Sequence, residues 1–176
     1  MGKVADGNTI SDYDKEEIKR QFSISTTMVP IEYEGAEGKI KINLLDTPGY
    51  FDFVGEVEEA VSAADAAIIV VNCKAGIEVG TEKAWDLCEE YKLPRIIFVT
   101  NMDDDHASFR ELILKLEKKF GRKIAPFQVP IRENEKFVGF VNAVKMQGRR
   151  FTNLSDYEDC EIPEYTKKNL GIIRDA

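Results

Sequence analysis

Residues 66–72 read AAIIVVN and residues 95–99 read RIIFV, two short apolar runs without polar alternation. A run of this length, rich in β-branched residues, predicts a strand, and the missing alternation predicts one covered on both faces. Between the runs, Ala84, Trp85, Cys88 and Tyr91 recur at helical spacing after Gly80-Thr81, and Pro94 stops the pattern. Strand, helix, strand in succession predicts a parallel sheet. The rhythm extends in both directions. Val54, Val57, Ala60, Val61 and Ala64 predict a helix over 53–64. Phe109, Leu112, Ile113, Leu116 and Phe120 predict another, ended by Gly121, and 124–131 predicts a further strand interrupted by prolines. The expected class is α/β, a doubly wound, mostly parallel sheet.

The flanks differ. Residues 1–22 are polar and predict a loop with a short helix near DKEEIKR. Alternation from Ser23 to Tyr33, a GAEG turn and alternation over 39–45 predict a β-hairpin. After residue 132 short alternating pieces, FVGFVNAVKM and RRFTNL, predict a β-rich insertion, and DCEIPEYTKKNLGIIRDA opens a helix. The net charge of −8 argues against a broad basic surface gripping nucleic acid. The longest apolar run, 66–71, is far shorter than a membrane span. The start, MGKVADG, carries no apolar signal region, so the expected location is cytoplasmic and no membrane partner is expected. Cys73 and Cys88 fall on apolar positions and predict buried free thiols. A lone histidine, His106, cannot centre a conventional zinc site. Asp104 and Asp105 are expected to cap the helix that follows, since helix N-termini favour acidic residues.

In doubly wound sheets ligands bind beyond the carboxyl ends of the strands. Here those ends hold Asp46, Asn72 and the stretch Thr100 to Asp103. The run LLDTPGY admits a plain reading as turn chemistry, with Asp first, Pro near the centre and Gly where φ must be positive. It also admits a site: a carboxylate at a strand end can hold Mg²⁺ and a neighbouring glycine N–H can approach a phosphate.

Several motifs in register break the tie. SISTT, LLDTPGYFDFVGEV, ADAAIIVVNCKAGIEVGTEKAW and LPRIIFVTNMDDD, in this order and spacing, resemble the GTPase domain of translational GTPases, closest to the elongation factor G group. The resemblance runs from about Gly2 to Arg150, and the tail resembles the start of that group's inserted subdomain. It implies a P-loop-NTPase-like fold that binds GTP and Mg²⁺. Asp46 matches the aspartate of D-x-x-G held near the metal, and Ser23 the switch I hydroxyl that binds it. Thr47, Pro48 and Gly49 complete the switch II turn, with Gly49 sensing the γ-phosphate. Thr100, Asn101 and Asp103 occupy the guanine-binding motif, and Asp103 matches the aspartate that reads the base. Tyr50 stands where the family usually has a histidine that positions water.

The chain departs from the family pattern in three ways. A tyrosine phenol is a poor proton acceptor at neutral pH, so Tyr50 predicts slow hydrolysis. In place of N-K-x-D the chain reads Thr100-Asn101-Met102-Asp103, so the lysine along the base is missing. No G-x-x-x-x-G-K-[ST] loop occurs in these residues, and without that phosphate cradle no measurable GTP binding is expected. The resemblance divides the chain into a partial GTPase domain, 1–132, with switch I at 1–27 and switch II at 46–56, and an inserted subdomain that starts at 133–176. It implies a fragment of a ribosome-acting enzyme with strand edges open to direct pairing or self-association. A catalytically degenerate scaffold that binds protein or ribosome is the alternative.

Overall fold

A computed structural model describes residues 2–35, 38–121, 124–134, 136–153 and 156–167. The chain is mixed α/β and forms two compact units, Met1–Ile69 with Val79–Ile96, and Val70–Glu78 with Ile97–Ala176.

In the first unit, the short helix α1 (Lys15–Arg20) opens with a capping box, in which Asp14 accepts from the helix backbone and Glu17 accepts from the Asp14 N–H. The alternating segments pair as predicted. Strand β1 (Thr27–Gly35) runs antiparallel to β2 (Gly38–Asp46), with Thr27 opposite Asp46 at the far end from the turn. Helices α2 (Val54–Ala63) and α3 (Val79–Glu90) follow their apolar periodicity, burying Ala60 on the first and Trp85 and Cys88 on the second. The Arg95 guanidinium stacks 3.8 Å from the centre of the Trp85 ring and pairs with Glu89.

Strands β3 (Ala67–Asn72) and β4 (Arg95–Thr100) form a sheet of their own. Ala67 N–H donates to Pro94 O and Cys73 N–H to Thr100 O, so the partners advance together and the strands are parallel. One expectation fails here, and one of two alternatives is not taken up. Burial alternates along β3: Ile69 and Val71 are 4% and 1% exposed, whereas Ile68 and Val70 are 57% and 61% exposed. Ile96 and Phe98 on β4 are open as well, so among the described residues this sheet is covered on one face, not both. Nor do β2 and β3 close on each other by direct pairing, since they belong to separate sheets.

The second unit carries α4 (Phe109–Phe120), with Leu112 and Leu116 each 1% exposed, and a four-stranded antiparallel sheet. Its strands are β5 (Gln128–Glu133), β6 (Lys136–Asn142), β7 (Gln147–Phe151) and β8 (Tyr157–Cys160). The proline-interrupted strand expected in the parallel sheet is therefore β5 of this antiparallel one. Its core joins Val129, Ile131, Val141 and Ala143, with Phe109 of α4 packed against them. A register shift opposite Ile131 and Arg132 skips Val138, and Phe137 and Phe140 both contact Phe151. A helical turn occupies 164–167; the rest of the predicted terminal helix lies outside the described residues.

Candidate functional site

The sequence-predicted residues fall into two groups, one in each compact unit. In the first, Asp46 ends β2 half-buried, Thr47 is half-buried, Pro48 is buried and Gly49 is exposed. Gly49 does not take a positive φ, which removes the turn-chemistry explanation for a glycine here. A Cβ built on it would meet no atom within 4 Å, so internal crowding does not demand glycine either. Tyr50 is exposed and caps the 3-10 turn Phe51–Phe53, with Phe53 N–H donating to its carbonyl. Its ring lies 4.6 Å from that of Phe22, centre to centre. The next residue, Ser23, is half-buried, and its hydroxyl donates to Asp12 Oδ1 at 2.7 Å.

Two carboxylates that the sequence reading did not single out hold this region. Glu17 is 3% exposed, and its Oε1 accepts from the Ile24 and Ser25 N–H groups at 2.9 and 3.1 Å. Glu56, in the first turn of α2, accepts from Thr26 N–H at 2.6 Å, while the Thr26 hydroxyl donates to the Glu56 carbonyl at 3.0 Å. The Asp14-x-x-Glu17 spacing announces a capping box, but nothing near Glu56 in sequence marks its partner thirty residues away.

In the second group, the ends of β3 and β4 meet. Asn72 Nδ2 donates to Asn101 Oδ1 at 3.0 Å, and Asn72 Oδ1 accepts from the Lys74 and Ala75 N–H groups. Thr100 Oγ1 donates to Val71 O, and Asn101 turns the chain at φ 55. Met102 is buried and its carbonyl accepts from Arg132 Nη2 at 2.6 Å, which leaves Asp103 exposed on the rim. Asp104 does not cap α4. Its Oδ1 accepts from the His106 N–H at 2.8 Å and its Oδ2 pairs with Lys74 Nζ at 3.2 Å. The backbone N–H and then the lysine hold its carboxyl below the ordinary range. The cap of α4 is Ser108, whose hydroxyl accepts from Glu111 N–H. A local hydroxyl three residues before the donor N–H fits that role better than a carboxylate already engaged in its own turn.

Among the described residues, no group of three or more His, Cys, Asp or Glu gathers as a metal site. Asp46 and Ser23 offer hard oxygen donors, and Mg²⁺ commonly takes only one or two protein oxygens, with phosphate and water supplying the others. In donor chemistry both residues suit the ion, and the Ser23 hydroxyl is bonded to Asp12. Among the described residues, no helix is long and apolar enough to cross a membrane.

The elongation factor G-like protein of Mycobacterium tuberculosis is 32% identical to this chain over 99% of it and 24% of the relative. The elongation factor G-like protein of Thermotoga maritima is 37% identical over 87% of the chain and 22% of the relative. The mitochondrial ribosome-releasing factor 2 of Anopheles gambiae is 36% identical over 82% and 19%. A crystal structure of a protein from Thermus thermophilus superposes with a TM-score of 0.90 at 33% identity, covering 99% of this chain and 25% of that one. The chain thus spans about a quarter of the length of these proteins. A family model described as the elongation factor Tu GTP binding domain matches residues 1–164. The chain therefore belongs to the elongation factor Tu GTP-binding-domain family.

Proposed function

We propose that the chain is part of the guanine-nucleotide domain of an elongation factor G-like translational GTPase. In this reading it is a portion of a doubly wound sheet, with an inserted subdomain beginning near 133, and the complete protein hydrolyses GTP on the ribosome. The observation that carries the reading is Gly49. A glycine that neither φ nor crowding requires, three residues after a strand-terminal aspartate, leaves the backbone open to close approach by a ligand. The γ-phosphate of GTP is that ligand. Asp46 and Ser23 hold Mg²⁺, which neutralises phosphate charge when bound, and Thr47 and Pro48 shape the turn that presents the Gly49 N–H. Asp103, exposed at the rim beyond β4, accepts from the paired N–H donors of guanine. Thr100 and Asn101 support it from below, with Asn72 fixing the Asn101 amide. Tyr50 orients water without taking its proton.

The test supplies the missing part. A chain extended upstream by a G-x-x-x-x-G-K-[ST] strand, loop and helix is titrated with fluorescent GTP and ATP analogues and Mg²⁺. Binding of the GTP analogue, at least tenfold weaker with Asp103→Ala, is the expected outcome. Equal binding of both nucleotides, or none, defeats the proposal.

A further inference from the structure

We infer that Glu56 is a positioning residue that ties the segment carrying Ser23 to the segment carrying Gly49 and Tyr50, so that the two shift together. The observation is a closed circuit of contacts inside one compact unit. From Ser23 the chain runs through Thr26, whose N–H and hydroxyl both engage Glu56, the first at 2.6 Å and the second at 3.0 Å. It enters β1 at Thr27, which sits opposite Asp46 in the hairpin register. From Asp46 the backbone passes through Gly49 to Tyr50, whose ring returns to Phe22 at 4.6 Å. It then continues as the 3-10 turn Phe51–Phe53 into α2, which carries Glu56 back to Thr26.

Each link is of a kind with known consequence. A charge-assisted bond from a backbone N–H is about twice as strong as a neutral one. With the backbone bond from the same residue it fixes both position and direction, where a single contact would leave a hinge. Glu17 does a narrower job, gripping Ile24 and Ser25 from the α1 side without touching the Gly49 segment. Two segments can share one response when something joined to both has a preferred arrangement. Glu56 is joined to one by its bonds to Thr26 and to the other through the chain of α2 and the 3-10 turn. The functional use of the tie rests on the GTPase reading: a displacement of Gly49 by a phosphate would be felt at the Ser23 hydroxyl through α2. The tie itself does not depend on that reading.

Amide hydrogen exchange on the 176-residue chain separates the two. Glu56→Ala is expected to speed exchange at 24–26 and at 49–53 together, by about tenfold or more, the usual effect of losing a hydrogen bond to a charged group. Glu56→Gln keeps an acceptor for Thr26 N–H and is expected to restore most of the protection. Should Glu56→Ala unfold the unit, Thr26→Val removes only the hydroxyl bond, and a smaller acceleration, about fivefold, is expected at the same two segments. Acceleration at 24–26 with 49–53 unchanged, in whichever variant folds, overturns the inference. With the upstream-extended chain, loss of GTP binding in the unmutated protein defeats the GTPase reading and leaves the exchange result standing. Binding and turnover identical in Glu56→Ala and the parent would instead show that the tie serves no catalytic purpose.

Discussion

Gln21 closes α1 in the left-handed region at φ 60, where a residue with a Cβ is strained and glycine is not. Gln21→Gly is expected to raise the free energy of unfolding by roughly 0.5–1 kcal/mol, the relief of strain less glycine's extra chain entropy, as read from urea denaturation. Tyr50 poses the opposite case, a residue whose chemistry and not its backbone is at issue. On the proposed GTPase reading, Tyr50→His in a longer protein is expected to speed ribosome-stimulated GTP hydrolysis, since an imidazole accepts a proton more readily than a phenol at neutral pH. No gain would remove Tyr50 from the catalytic account. The thiols supply a pH dependence. Burial pushes Cys73 and Cys88 above the ordinary thiol range, only partly offset by Arg132 and Arg95 respectively. The unfolded chain then loses these protons first, so their contribution is intact below about pH 8.5 and declines as pH rises past it. Chemical denaturation at pH 7 and 10, with Cys73→Ala and Cys88→Ala for comparison, checks the slope.

At the scale of elements, the antiparallel sheet depends on close backbone approach at one position. A Cβ on Gly139 would collide with the Arg149 carbonyl oxygen and lie 2.9 Å from Arg150 Cα, atoms of the neighbouring strand that cannot swing aside. Gly139→Ala is expected to cost about 1–3 kcal/mol or more and to loosen β6 from β7, visible as lost amide protection along both. The helix α4 is more forgiving. Its apolar stripe buries Leu112 and Leu116 whatever happens at the cap, so Ser108→Ala is expected to cost only about 1 kcal/mol. Most element boundaries were legible. Val54 to Ala63 and Phe109 to Phe120 fall within a residue or two of the periodic runs that announced them, because helix period is a local property, whereas α3 begins at Val79, five residues before Ala84 and with Gly80 and Thr81 inside it.

For the molecule as a whole, the β3–β4 sheet leaves Ile68, Val70, Ile96 and Phe98 all more than half exposed. An apolar face of that kind, next to open strand edges, favours association. The 176-residue chain is expected to associate as its concentration rises, and Ile96→Lys with Phe98→Lys to suppress it, as followed by sedimentation velocity. A parent chain that stays monomeric throughout the millimolar range would show the face to be harmless.

What the amino-acid order determined by itself was whatever depends on neighbours within a few residues. It set the helices, the β1–β2 hairpin, the strands ending at Asp46, Asn72 and Thr100, and the ordered motifs that carry the family. What only the tertiary structure decided lies between distant residues. The pairing of β5 with β6 in an antiparallel sheet, the one-sided covering of β3, Ser23 bonded to Asp12 and Thr26 held by Glu56 all belong to this class. Gly49 belongs to both: its identity was plain in the motif, while only its φ and its surroundings removed backbone strain and crowding as reasons for a glycine. Short-range periodicity follows from backbone geometry, whereas the choice among partners follows from which surfaces the folded chain brings within bonding distance.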